Sequence, residues 1–183
     1  MTTTRQSRLV KRSLALFSNF FLIILAYYQV KSASRSLLIE FGGSQWFPYA
    51  WVYSAVVLTL LIGVYHGIVE RFSRVRVVLG SLLLFAALLV LFRTILEHNN
   101  TLAAVAFYIF VDIFSVVLVE QFWSLTVSIT DPADGKRSFW FVGTGGLVGG
   151  VAGGYLASVL IENTSLQTAD LLYVCAAILI STF

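Results

Sequence analysis

Polar and charged residues punctuate this chain at intervals that leave six apolar stretches: Leu14–Val30, Pro48–Val69, Val77–Leu96, Leu102–Thr130, Phe139–Ile161 and Leu166–Phe183. A helix needs about 20 apolar residues to cross the roughly 30 Å of hydrocarbon in a bilayer. The first stretch reaches that length only if it continues past Lys31 to about residue 36, with that face shielded from lipid. The last stops where the sequence stops, without a flanking charge, so a fragment of a longer protein is expected. The pattern predicts an all-α polytopic membrane protein of six transmembrane helices, with residues 1–183 forming one bundle and no soluble domain, linker or low-complexity run.

Composition agrees with this class. The chain is 58% hydrophobic and 11% charged, against about 25% charged in soluble domains, and its mean hydropathy is +0.89. The net charge of +3 does not imply a nucleic-acid partner, because the basic residues are scattered between the spans and form no stripe. The single cysteine, Cys175, lies within the last span and has no partner for a disulfide or metal site, so it is expected to pack, and no cofactor is expected.

Charge asymmetry predicts the orientation. Arg5, Arg8, Lys11 and Arg12 precede the first span; Arg71, Arg74 and Arg76 follow the second; Lys136 and Arg137 follow the fourth. The opposite loops hold Glu40, Glu97, Glu162 and Asp170 against Arg93. The positive-inside rule then puts the N-terminus in the cytoplasm, and six spans return the C-terminus there. The first span lacks a small-residue cleavage site, so it is expected to be an uncleaved helix. Trp46, Phe47, Tyr49 and Trp51 mark an outer interface, Pro48 suits a first helical turn, and Asp131–Gly135 is expected as a turn.

Chemistry is sought where charge enters the spans, since such groups face a cavity or a partner. Lys31 and Arg35 are four residues apart and share a helix face with Tyr27. They form either an anion-binding strip or a pair snorkelling to the outer interface, the latter favoured for Arg35. In the fourth span Asp112, Ser115, Val119 and Trp123 share a face flanked by Glu120. Glu120 and Asp112 are expected to line a transport route, and Glu120 to lie close to Lys31 across the bundle cavity. Gly145, Gly149 and Gly153 form a G-x-x-x-G ladder, interleaved with Gly146, Gly150 and Gly154. Such spacing lets helices approach closely in lipid, and no Lys-Ser/Thr follows to make it a phosphate loop. No nucleophile–base pair is evident, so an enzyme is not expected. His66 and His98 sit near span ends and are expected at the interface.

Two stretches resemble known families. Gly67, Glu70, Arg71, Arg74 and Arg76 lie in a loop that resembles the signature between the second and third helices of the major facilitator superfamily, with Glu70 for the usual Asp and Ser73 for a Gly. Val111–Ser124, followed by Gly135-Lys136-Arg137 and the glycine-rich span, is similar to the nucleotide (ATP/ADP) transporter family. That resemblance implies the N-terminal six-helix half of a facilitator-type bundle, in a bacterial cytoplasmic (inner) membrane. It implies exchange of an anionic small molecule such as a nucleotide by alternating access, without hydrolysis. Lys31, Arg35, Asp112, Glu120 and Trp123 would then contact substrate. The complete carrier would need a second six-helix half, in the same chain or as a partner. Other organic anions, or a scaffold that has lost transport, remain alternatives.

Overall fold

A computed structural model describes the backbone of residues 2–182, and the side chains there except those of residues 2–5, 64–66, 68–70, 74 and 137. The expected Glu70 and Arg74 side chains of the loop signature therefore lie outside the described residues. The elements are α1 (Thr2–Gly42), α2 (Phe47–Arg71), α3 (Arg74–Leu96), α4 (Thr101–Ile129), α5 (Pro132–Asn163) and α6 (Leu171–Ser181), with 3₁₀ turns at Ser44–Trp46 and Thr168–Asp170. No strand occurs among the described residues.

Five helices, α1 to α5, are long and apolar enough to cross a membrane. The sixth expected span corresponds to α6, whose 11 residues rise about 16 Å, roughly half the hydrocarbon thickness. Local chemistry explains most boundaries. Asn100 caps α4 by accepting the Leu102 N–H at 2.8 Å. At α5 the expected turn shrinks. Pro132, Ala133, Asp134 and Gly135 are already helical and only Thr130 and Asp131 break the chain. Proline costs no hydrogen bond in a first turn, and Asp134 there complements the helix dipole. Lys136 thus belongs to a helix, not a loop.

Helix α1 is the central element, packing against α4, α5 and α6. Its contact with α5 is made through the glycine ladder. A Cβ at Gly145, Gly149 or Gly153 would lie 2.7, 2.5 or 2.5 Å from the carbonyl oxygen of Phe17, Phe21 or Leu25. The constant offset makes α1 and α5 parallel, in backbone-to-backbone contact. Against α4, α1 is antiparallel: Phe20 stacks on Phe122 with centroids 4.4 Å apart, and Thr101 at the other end donates to the Phe41 carbonyl at 2.5 Å. Phe85, Phe107, Phe110 and Phe114 fill the space between α3 and α4.

The pairing of helices follows a symmetry. Exchanging α1 with α4, α2 with α5, and α3 with α6 maps α1–α5 onto α4–α2 and α1–α6 onto α4–α3, and leaves α1–α4 and α3–α6 in place. The match is one of pairing and not of extent, since the α1–α5 seam is far larger than its α4–α2 counterpart. Since α1 and α4 are antiparallel, the pairing pattern is the one that two inverted three-helix units would give. At one end of the bundle Arg93 ties α3 to the turn before α6, donating through Nε to Asp170 at 2.7 Å and through a terminal nitrogen to Glu97 at 2.9 Å.

Candidate functional site

The site grows from one face of α1. Lys31 and Arg35 stand one turn apart there, both partly buried. The Lys31 ammonium lies 5.1 Å from the Tyr27 ring centroid and 4.8 Å from that of Tyr28. The Arg35 guanidinium lies 5.4 Å from the Tyr108 ring and donates to the Lys31 carbonyl at 3.2 Å. Two of these rings are themselves held. Tyr28 packs against Gly150 and Gly153 of α5. The Tyr108 hydroxyl accepts from the Trp51 indole N–H at 2.9 Å.

Aromatic faces attract cations by about 0.5–2 kcal/mol, the upper value when water is excluded. That is less than the 2.5 kcal/mol or more by which a charge at membrane depth is disfavoured. A carboxylate partner would close the gap, but neither cation has one. The ion pairs between described side chains, Arg93–Glu97 and Arg93–Asp170, both involve Arg93. Lys31 is therefore compensated by rings alone, and Arg35 by a ring and the Lys31 carbonyl.

The acidic residues take other positions. Asp112 accepts from the Ser54 hydroxyl at 2.9 Å, which joins α4 to α2. The Ser115 hydroxyl returns to the Asp112 carbonyl at 2.7 Å. The α1–α4 register, fixed by Phe20 with Phe122 and Arg35 with Tyr108, puts Asp112 at the level of Lys31. Glu120 lies about 12 Å further along the axis, exposed on an open face of α4 that also carries Ser115, Val119, Trp123 and Ser124. The expected proximity of Lys31 and Glu120 is overturned: an antiparallel register that joins Lys31 to Asp112's level excludes it. Trp123 contributes to that open face while its ring stands edge-on to Phe20 at 5.4 Å and Phe139 at 5.8 Å. It is thereby wedged between α1, α4 and α5.

The loop signature is distributed over two helices. Gly67 and Arg71 lie in the last turns of α2, and Arg76 is exposed in the first turn of α3. The roles of Ser54, Tyr28 and Tyr108 were not foreseen from the sequence, and Trp51 was expected only as an interface marker. Nothing marks Ser54 or Tyr108 in an apolar span, because their roles depend on which helix lies opposite. Gln29 is a further unforeseen feature: it is fully buried and neither amide atom has a hydrogen-bond partner. No group of three or more metal-ligating side chains occurs among the described residues. No protein-family model, curated protein or solved structure matches this chain.

Proposed function

We propose that this chain is one half of a secondary transporter for an organic anion, with a nucleotide as the leading substrate class. The observation that carries the proposal is the pair Lys31 and Arg35. Two cations within a membrane helix, cushioned by Tyr27, Tyr28 and Tyr108 and lacking a carboxylate, make a place where an anion gains both charge and ring contacts. The inverted pairing pattern of α1–α3 and α4–α6 supports the same reading, since facilitator-type carriers nest inverted repeats within each half and bind substrate near the midplane. In this reading α6 is a sixth span, the N-terminus is cytoplasmic, and the bundle sits in a bacterial inner membrane. A second six-helix half would close the site over the open face of α4, where Glu120 and Trp123 stand. Transport would proceed by rocking of the two halves, without hydrolysis.

Uptake of labelled ATP, ADP, inorganic phosphate and a dicarboxylate into liposomes carrying the complete transporter tests this. Nucleotide uptake should exceed that of the other anions. Lys31→Gln and Arg35→Gln should each lower it more than about tenfold at equal protein abundance, the loss expected for a hydrogen bond to a charged group. Normal uptake by both variants would show that the two cations are interfacial anchors.

A further inference from the structure

A second site lies on the other side of α4 and is independent of the transport proposal. Between α2, α3 and α4 runs an apolar groove of about 650 Å³, within the size range of small-molecule sites. Its length is set by α3, from Arg76 at one mouth to Leu88 at the far end, about 18 Å at helical rise. That is close to the depth of one leaflet, half of the roughly 30 Å core. Leu61 of α2 and Phe110 of α4 supply opposing walls. Gly80 leaves the floor open, because a Cβ there would meet nothing within 4 Å.

Two polar features give the groove a direction. Arg76 stands exposed at the end where α2 meets α3. Gln121, 3% exposed, also lines the groove. Its carbonyl accepts from Ser81 at 2.7 Å while its amide nitrogen is buried without a partner. Ser81 is five residues beyond Arg76, which places that unused donor about 7–8 Å deeper along α3. A cation at headgroup level, a single donor just below it and an apolar slot beyond reproduce the order of parts in a phospholipid: phosphate, ester carbonyl, acyl chain.

We propose that this groove binds one anionic phospholipid from the leaflet at the α2–α3 end. Arg76 meets the phosphate, the Gln121 amide donates to an ester carbonyl, and one acyl chain lies over Gly80 towards Leu88. Basic pockets between helices at this membrane face are suited to anionic headgroups. The full chain, purified in detergent, would be titrated with phosphatidylglycerol and with phosphatidylcholine of the same acyl composition, and lipid retention read by native mass spectrometry. Phosphatidylglycerol should be retained preferentially. Arg76→Gln should weaken its retention about fivefold, the value of one basic residue near an anionic headgroup. Gly80→Leu should abolish retention of either lipid. It has room in the fold and removes a helix-weakening glycine, so unchanged helicity and melting in that variant separate a filled groove from misfolding. Equal retention of the two lipids, undiminished retention by Gly80→Leu, or displacement of phosphatidylglycerol by millimolar inorganic phosphate would each overturn the proposal.

Discussion

Replacing Gln29 by methionine should stabilise this protein. The side chain of Gln29 is fully buried, and both its amide oxygen and its amide nitrogen lack partners. The parallel register of α1 with α5 brings it level with Ala157, which offers no polar side chain. Burying an amide without hydrogen bonds costs about 1–3 kcal/mol by mutational measures. Methionine has nearly the same length and fills irregular space well, so Gln29→Met keeps the packing and removes the penalty. We expect a gain of about 1–3 kcal/mol in reversible unfolding from mixed micelles, read by circular dichroism. Gln29→Ala, which also removes the penalty but leaves a cavity, should gain less or lose stability. A loss of 1 kcal/mol or more in Gln29→Met would show that the amide is hydrogen-bonded after all. The glutamine sits two residues from Lys31, and a costly group beside a binding site is often retained for function. On the proposed transport function, Gln29→Met is therefore expected to lower anion uptake while raising stability, and uptake unchanged alongside higher stability would mean that the amide has no role in it.

Two further outcomes follow from the fold. Gly149→Leu should destabilise by about 3 kcal/mol or prevent folding, because even a Cβ there would lie 2.5 Å from the Phe21 carbonyl oxygen, whereas Gly154→Leu, with nothing within 4 Å, should be tolerated; equal melting of the two variants would refute the close α1–α5 contact. Single cysteines at Arg71 and Lys136 should resist an impermeant thiol reagent in intact cells while one at Gln45 reacts, with native Cys175 silent because it is buried; labelling at position 71 from outside would reverse the proposed orientation.

Much of the helical layout was legible because it depends on local properties. Apolar run lengths bounded α2, α3 and α4 to within a few residues. The α5 start was missed because Pro132 and Asp134 serve equally well in a turn and in a first helical turn. The length of α1, 41 residues, was also underestimated: its first twelve residues are mostly polar and Lys31 to Arg35 interrupt the apolar run, yet the helix continues through both. In the site, charge inside a span picked out Lys31, Arg35, Asp112 and Glu120. What could not be read was which of them meet. Lys31 and Glu120 looked like natural partners by charge, but pairing depends on the vertical register of α1 and α4, and a single sequence contains no record of it. The same holds for Ser54 as the donor to Asp112. The glycine ladder announced a close neighbour without naming α1.

The seam between α1 and α5 also restricts how the bundle can deform. Along it, glycines of α5 sit against the carbonyls of Phe17, Phe21 and Leu25, with the Phe20 and Tyr28 side chains of α1 seated on the flanking Gly146 and Gly150. A shift of two residues would drive Leu147 and Val151 towards carbonyls where only hydrogen fits, and a shift of one, which brings up the second ladder of Gly146, Gly150 and Gly154, requires α5 to turn about its axis and leave the seats of Phe20 and Tyr28. Large movements along the seam are therefore costly, and α1 and α5 are expected to move together. Bending within this bundle is then taken up where side chains interdigitate and can change rotamer, along the aromatic contacts of α1 and α3 with α4.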